Sequence, residues 1–194
     1  QGNLAPGGAI IKASAADPRL MEHVGRAVVF ENLQDLAERI DRDDLDVTAE
    51  DILVLKNIGP KGAPGMPEAG YMPIPRKLAR AGVKDIVRIS DGRMSGTAFG
   101  TIVLHVTPES AIGGPLAWVQ TGDRIRLSVS NRSLQWLVSD EELAKRRAAW
   151  KAPAPALDSG YWKLYIDHVT QADEGVDLDF LRGKRGAFVP KDNH

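Results

Sequence analysis

The sequence predicts a mixed α and β domain, a barrel or closed sheet with helices on its outside. Three observations point there. There are seven short apolar runs, most of them rich in β-branched residues and flanked by Gly, Pro, Asp or Asn, the punctuation of strands. Segments of helical period lie between them. The chain of 194 residues, 43% hydrophobic and 26% charged, has an ordinary globular balance and length enough for one core.

The strand candidates, in order, are residues 9–12, 26–30, 52–56, 86–90, 101–106, 124–129 and 134–138. ILVL, from Ile52, is apolar on both faces and reads as a fully buried strand. RIRLSV, from Arg124, alternates strictly and should have one wet face. Leu33, Leu36, Ala37 and Ile40 fall at helical spacing behind Asn32, a plausible N-cap. A short helix is expected from Ile74 to Arg80, stopped by Gly82. Ser139 followed by Glu142 forms a capping box that opens a helix running through Trp150. KAPAP, from Lys151, is a stiff Pro-rich break and divides the chain into a body, 1–150, and an arm, 151–194. In the arm, Asp158 and Ser159 cap a last helix whose packing stripe is Tyr161, Leu164, Tyr165 and His168. The tail carries a basic knot, RGKR from Arg182, and ends FVPKDNH.

Composition excludes several function classes. Lys plus Arg is 25 against 26 for Asp plus Glu, a net charge of -1, so bulk charge recruits neither nucleic acid nor anionic membrane. Cys is 0, which removes disulfides, a Cys nucleophile and cysteine-ligated metal from this chain. No apolar run approaches the roughly 18 residues of a spanning helix, and no signal peptide is visible. The sequence begins at Gln1 rather than Met, which suggests a processed product or a fragment of a longer chain.

Two loops carry the candidate chemistry. The first, IGPKGAPGMPE from Ile58 to Glu68, packs three Gly and three Pro into a stretch with little conformational freedom. It is not a phosphate-binding P-loop: five residues separate Gly59 from Gly65, and Met66 and Pro67 follow where Lys and Ser or Thr are needed. A surface turn with a helix-capping Glu68 is the alternative reading. The second, SDGRMSGTAFGT from Ser90 to Thr101, presents two hydroxyls, Ser95 and Thr97, among backbone N–H groups suited to an anion. Its alternative is a Gly-rich turn with capping hydroxyls. None of His23, His105, His168 or His194 has metal-ligand spacing; His105, in an apolar strand, reads as a satisfied structural residue.

These loops, in this order, resemble one family. NLAPGGAIIK, VLKNIGPKGAPGMPE, SDGRMSGTAFG and HVTPESAIGGPLAWVQTGDRIRL look like the C-terminal domain of the dihydroxy-acid and sugar-acid dehydratases. The likeness runs from Gly2 to about Val138. The segment DSGYWKLYIDHVTQADEGVDLDFL is similar to the branch acting on five-carbon and related aldonates such as L-arabinonate.

The resemblance implies a complete enzyme about three times longer. Its N-terminal domain would hold the cysteines of an iron–sulfur cluster, with a carboxylated lysine and acidic residues for Mg²⁺. It further implies a β-barrel flanked by helices, similar to the swivelling domain of aconitase, and a cytoplasmic homodimer or homotetramer. By the same resemblance Ser95 is the base at C2 of the sugar-acid substrate, Thr97 stands beside it, and Glu68 is a Mg²⁺ ligand. His194 and the tail are expected near an active site, that of this subunit or of a neighbour. Two other readings stand beside this one: the small swivelling subunit of an aconitase-type hydro-lyase, and a non-enzymatic anion-binding module.

Overall fold

A computed structural model describes residues 1–155 and 157–182. The seven expected strands form: β1 (Gly8–Ile11), β2 (Glu22–Phe30), β3 (Ile52–Leu55), β4 (Val87–Ser90), β5 (Ile102–Thr107), β6 (Arg124–Ser128) and β7 (Ser133–Trp136). They make one sheet in the order β1-β5-β4-β3-β2-β6-β7. The four central strands, β5, β4, β3 and β2, run parallel; β1, β6 and β7 are antiparallel additions at the two sides.

The sheet curls into a half-barrel. Its inner face gathers one core from every strand, including Val29, Val54, Ile89, Val103, Ile125, Leu134 and Trp136. Val28, Phe30, Leu53 and Leu55 point the other way and pack under α1 (Leu33–Arg39) and beside α2 (Arg76–Arg80). This two-sided burial is why ILVL is apolar throughout, as parallel strands covered on both faces must be. β6 has one wet face, with Ile125 and Leu127 buried and Arg124 and Arg126 exposed.

The expected closed barrel is not completed by a ladder, since β1 and β7 do not pair; the N-terminal segment instead meets β7 through a side chain. Asn3 Nδ2 donates to the Trp136 carbonyl at 2.8 Å, and the Trp136 N–H donates to Asn3 Oδ1 at 2.7 Å. Beside them, the Leu134 N–H donates to the Gln1 carbonyl at 2.9 Å. The amide of Asn3 thus stands in for a peptide group across the gap.

β5 carries a bulge. Ile11 pairs with Val103 and Ile10 with Leu104, but Gly8 pairs with Thr107, so His105 and Val106 together oppose Ala9. His105 takes φ 53°, the left-handed conformation that a G1-type bulge gives its first residue, ordinarily a glycine. The extra residue changes the phase of the strand: Val103 and Val106, three apart, both enter the inner core.

The helices form close to their predicted places. Asn32 Oδ1 accepts from the Asp35 N–H at 2.9 Å and starts α1. α2 begins at Arg76, two residues later than expected, because Pro75 sits outside the helix with extended ψ. Ser139 Oγ accepts from the Glu142 N–H at 3.2 Å and opens α3 (Asp140–Ala149). The reciprocal half of that capping box is replaced by an ion pair, because Glu142 turns to Arg146 Nε at 2.8 Å. α4 (Gly160–His168) starts without a side-chain cap from Ser159. Its expected packing stripe is largely uncovered: Tyr161 is 88% exposed and Leu164 43%. The basic knot beyond Arg182, the FVPKDNH tail and His194 lie outside the described residues.

Candidate active site

Glu68 and Ser95 leave the sheet on the same edge. Their loops follow β3 and β4, which pair in parallel from Ile52↔Val87 to Leu55↔Ser90, so both open at carboxyl ends of adjacent strands. That edge is where open α/β sheets place their ligands.

The loops are pinned to each other by Arg93. Its Nη1 donates to Glu68 Oε1 at 2.7 Å and its Nε to the Met66 carbonyl at 2.5 Å. The Arg93 carbonyl in turn accepts from the Gly70 N–H at 2.6 Å. Glu68 therefore caps no helix; its half-exposed carboxylate is held by a cation from the Ser95 loop. Gly92 allows this closeness, since a Cβ there would stand 2.4 Å from Ile58 Cδ1.

Ser95 and Thr97 do share one face. Their hydroxyls are 3.0 Å apart, and the Thr97 N–H points at Ser95 Oγ from 3.4 Å. Lys12 Nζ donates at 2.5 Å to the carbonyl of Gly96, the residue between Ser95 and Thr97 in the chain. Phe99, at the far end of the loop, is 75% exposed.

Two buried carboxylates anchor the roots of these loops. Asp91 Oδ1 accepts from the Ile58 N–H at 3.0 Å and Oδ2 from the Ser110 N–H at 2.8 Å. Glu109 accepts from the Lys61 N–H at 2.9 and 3.0 Å, and from the Gly62 N–H at 2.9 Å. Burial pushes the proton affinity of both carboxyls up, against the pull of these donors.

His105 departs from the satisfied histidine expected of it. Its backbone N–H donates to the Gly92 carbonyl at 3.0 Å, which docks the β5 bulge on the Ser95 loop. Its Nδ1 is buried with no hydrogen-bond partner among the described residues. Burial, with the Arg93 charge nearby, lowers its proton affinity and favours a neutral ring.

The fit to metal is partial. Glu68 offers one carboxylate, and among the described residues no three His, Cys, Asp or Glu side chains gather as a metal site. The chain can give a shared Mg²⁺ one ligand. Having no cysteine, it has no thiolate for an iron–sulfur cluster.

Sequence reading picked out Glu68, Ser95 and Thr97, and the structure brings their loops together. It did not find Lys12, Asp91, Arg93 or Glu109 as parts of the site. Each lay inside a stretch already singled out, but a charged residue in a loop signals no partner until the fold supplies one.

A parallel-centred half-barrel with a hydroxyl pair and a carboxylate on neighbouring loops defines the class. The chain belongs to the dihydroxy-acid/6-phosphogluconate dehydratase family, whose C-terminal domain matches residues 1–176. Its sequence is 55% identical along its whole length to L-arabinonate dehydratase of Rhizobium leguminosarum bv. trifolii, covering 34% of that protein. It is 56% identical to L-arabonate dehydratase of Azospirillum brasilense, again covering 34%. Over 98% of the chain it is 53% identical to 6-deoxy-6-sulfo-D-gluconate dehydratase of Pseudomonas putida, covering 33%. The chain thus spans about a third of the length of these curated relatives.

Proposed function

We propose that this chain is the C-terminal domain of an aldonate dehydratase, a hydro-lyase that converts a sugar acid such as L-arabinonate to its 2-keto-3-deoxy acid. The observation that carries the reading is the Ser95–Thr97 hydroxyl pair, tied through Arg93 to the Glu68 carboxylate. The names of the similar dehydratases support an aldonate as the substrate class.

The reaction removes a proton from C2 and a hydroxide from C3. Ser95 Oγ, ionised, takes the C2 proton as general base; the C–H electron pair forms the C2=C3 bond as the hydroxide leaves. The resulting enol gains a proton at C3 and becomes the 2-keto acid. With Ser95 ionised, Thr97 would donate its hydroxyl to Ser95 Oγ, and the Lys12 cation on the Gly96 carbonyl would favour that anion. Glu68 would be one Mg²⁺ ligand; the ion supplies charge stabilisation for the substrate carboxylate and C2 oxygen.

The remaining parts of the reading complete the enzyme. The iron–sulfur cluster and the other Mg²⁺ ligands belong to an N-terminal domain of the same polypeptide, and the isolated chain is inactive. Residues 1–150 act as the body, similar to the swivelling domain of aconitase, and 151–194 as an arm seated on it or on a neighbouring subunit. The tail with His194 reaches an active site. The assembly is a cytoplasmic homodimer or homotetramer.

The test is direct. The full-length polypeptide, reconstituted with iron, sulfide and Mg²⁺, is assayed for 2-keto acid formation against a panel of aldonates. Turnover of at least one aldonate is expected; a loaded enzyme that dehydrates none of them overturns the reading.

A further inference from the structure

Glu109 lies 47 positions from Gly62 and 62 from Gln171, yet it joins the segments that carry them. It is 1% exposed. Its carboxylate accepts the Lys61 and Gly62 N–H groups of the Gly/Pro loop, and on Oε1 the Gln171 side-chain amide at 2.7 Å. The exchange with Gln171 is reciprocal, because the Glu109 N–H donates to Gln171 Oε1 at 2.9 Å. Gly59 packs so tightly on this carboxylate that a Cβ there would lie 2.6 Å from Glu109 Oε2.

Gln171 follows α4 in the arm, where Val169 bridges to Leu178 and the Thr170 N–H donates to the Asp177 carbonyl at 2.8 Å. The same arm lays Trp162 across Gly65, 3.7 Å from where a Cβ would be. No Lys, Arg or His is paired with Glu109 among the described residues. Its buried charge is answered by N–H donors alone, and these come from the two segments it joins. A buried anion satisfied in this way fixes its donors in space, since losing any one leaves charge uncompensated.

We propose that Glu109 is a positioning residue that couples the seating of the C-terminal arm, through Gln171, to the loop that carries Glu68. Gln171 thereby acts on the cation affinity of Glu68 without touching it. This rests on Glu68 as a cation ligand, and the experiment separates the two ideas.

The full-length protein is compared with Glu109→Gln, Gln171→Glu and the double variant that exchanges the two side chains. In Glu109→Gln, the new amide N–H₂ faces N–H donors on one side or the other. In Gln171→Glu, two carboxylates meet. In the double variant the amide oxygen placed at position 109 can accept from Lys61 and Gly62 while its N–H₂ donates to the carboxylate placed at position 171, so each partner keeps a bond and only the second Lys61 bond, the one to Oε1, is given up. Amide exchange at Lys61 and Gly62 reads the coupling directly, and Mn²⁺ titration by electron paramagnetic resonance reads cation affinity.

Each single variant should lose exchange protection at Lys61 and Gly62 and weaken Mn²⁺ binding by about 10-fold or more, the scale of lost outer-shell support. The double variant should recover both. Gln171→Ala, a milder change at a part-exposed position, should loosen the same amides if Gln171→Glu does not fold. Unchanged exchange in Glu109→Gln and Gln171→Ala overturns the proposal, as does a double variant no better than its worse parent. Glu68→Gln is the control: if it leaves Mn²⁺ affinity unchanged, the ligand reading of Glu68 fails, while the exchange data still decide the coupling.

Discussion

Replacing Ser95 by alanine separates chemistry from architecture. Ser95 Oγ makes one hydrogen bond to Thr97 Oγ1 at 3.0 Å and a long contact with the Thr97 N–H at 3.4 Å, in a part-exposed loop. An ordinary intramolecular hydrogen bond is worth about 0.5–1.5 kcal/mol net, and water can replace this one. In a domain of about 150–250 residues about 1 kcal/mol moves Tm by roughly 2–4 °C, and in the longer full-length enzyme by less, so Ser95→Ala should shift unfolding by no more than a few degrees. A general base contributes about 10²–10⁴-fold to rate. At about 1.36 kcal/mol per tenfold, that is at least about 2.7 kcal/mol of transition-state stabilisation, above the whole range of the structural loss. The assay is kcat of the full-length enzyme on an aldonate, with cluster content and Tm measured on the same sample. Solvent exchange of a deuterium at C2 should slow in parallel. Thr97→Val keeps the branched shape without the hydroxyl, and should weaken kcat less than Ser95→Ala does. A Ser95→Ala enzyme with intact cluster, unchanged Tm and near-normal kcat would refute the assignment and leave Ser95 a turn residue.

Other substitutions test the frame around the site. Asn3→Ala strands the Trp136 N–H and carbonyl at the barrel seam, and should cost about 2 kcal/mol in denaturant unfolding. Gly92→Ala drives a Cβ to 2.4 Å from the buried Ile58 Cδ1, and should destabilise by about 1–3 kcal/mol as overpacking does. Asp51 is buried and receives two Arg26 nitrogens at 3.0 and 2.9 Å and the Thr48 N–H at 2.8 Å. Burial pushes its carboxyl up, but the Arg26 pair and the Thr48 donors outweigh it and hold the proton affinity below the ordinary 3.8. Its contribution is therefore complete above pH 3.8 and is lost as pH falls through the lower folded value. Asp51→Ala should cost about 3 kcal/mol near neutral pH, and the gap from the parent should narrow only in strong acid.

Local signals made the elements legible, and distance hid most of what joins them. The seven strands announced themselves because β-branched runs between Gly, Pro and Asp carry their own punctuation. Asn32 and Ser139 were readable as caps because a cap needs a partner only three residues away. β2 begins at Glu22, four residues before the predicted Arg26, because one strand serves two neighbours. Residues 22–26 pair with β6 and 27–30 with β3, a division that no local pattern records. The site loops stood out by their glycines, whereas the Arg93–Glu68 pair spans 25 positions and the Glu109–Lys61 contact 48. The α4 stripe was correctly read as one face, but amphipathicity does not say whether a face is covered. Tyr161 and Leu164 remain in solvent in this chain.

The bulge in β5 is, in effect, an insertion that the sheet does not need. Removing His105 would leave Val103 and Val106 two apart, on one face of a regular strand facing β1, with the inner core in phase. The residue is therefore surplus to the barrel and is spent on the loop, where its N–H meets the Gly92 carbonyl. Deletion of a buried strand residue ordinarily flips every side chain beyond it. Here a chain lacking His105 should fold with a regular β5 and retain its core. The cost should fall instead on the ordering of the Ser95 loop, visible as faster amide exchange there while the strands stay protected.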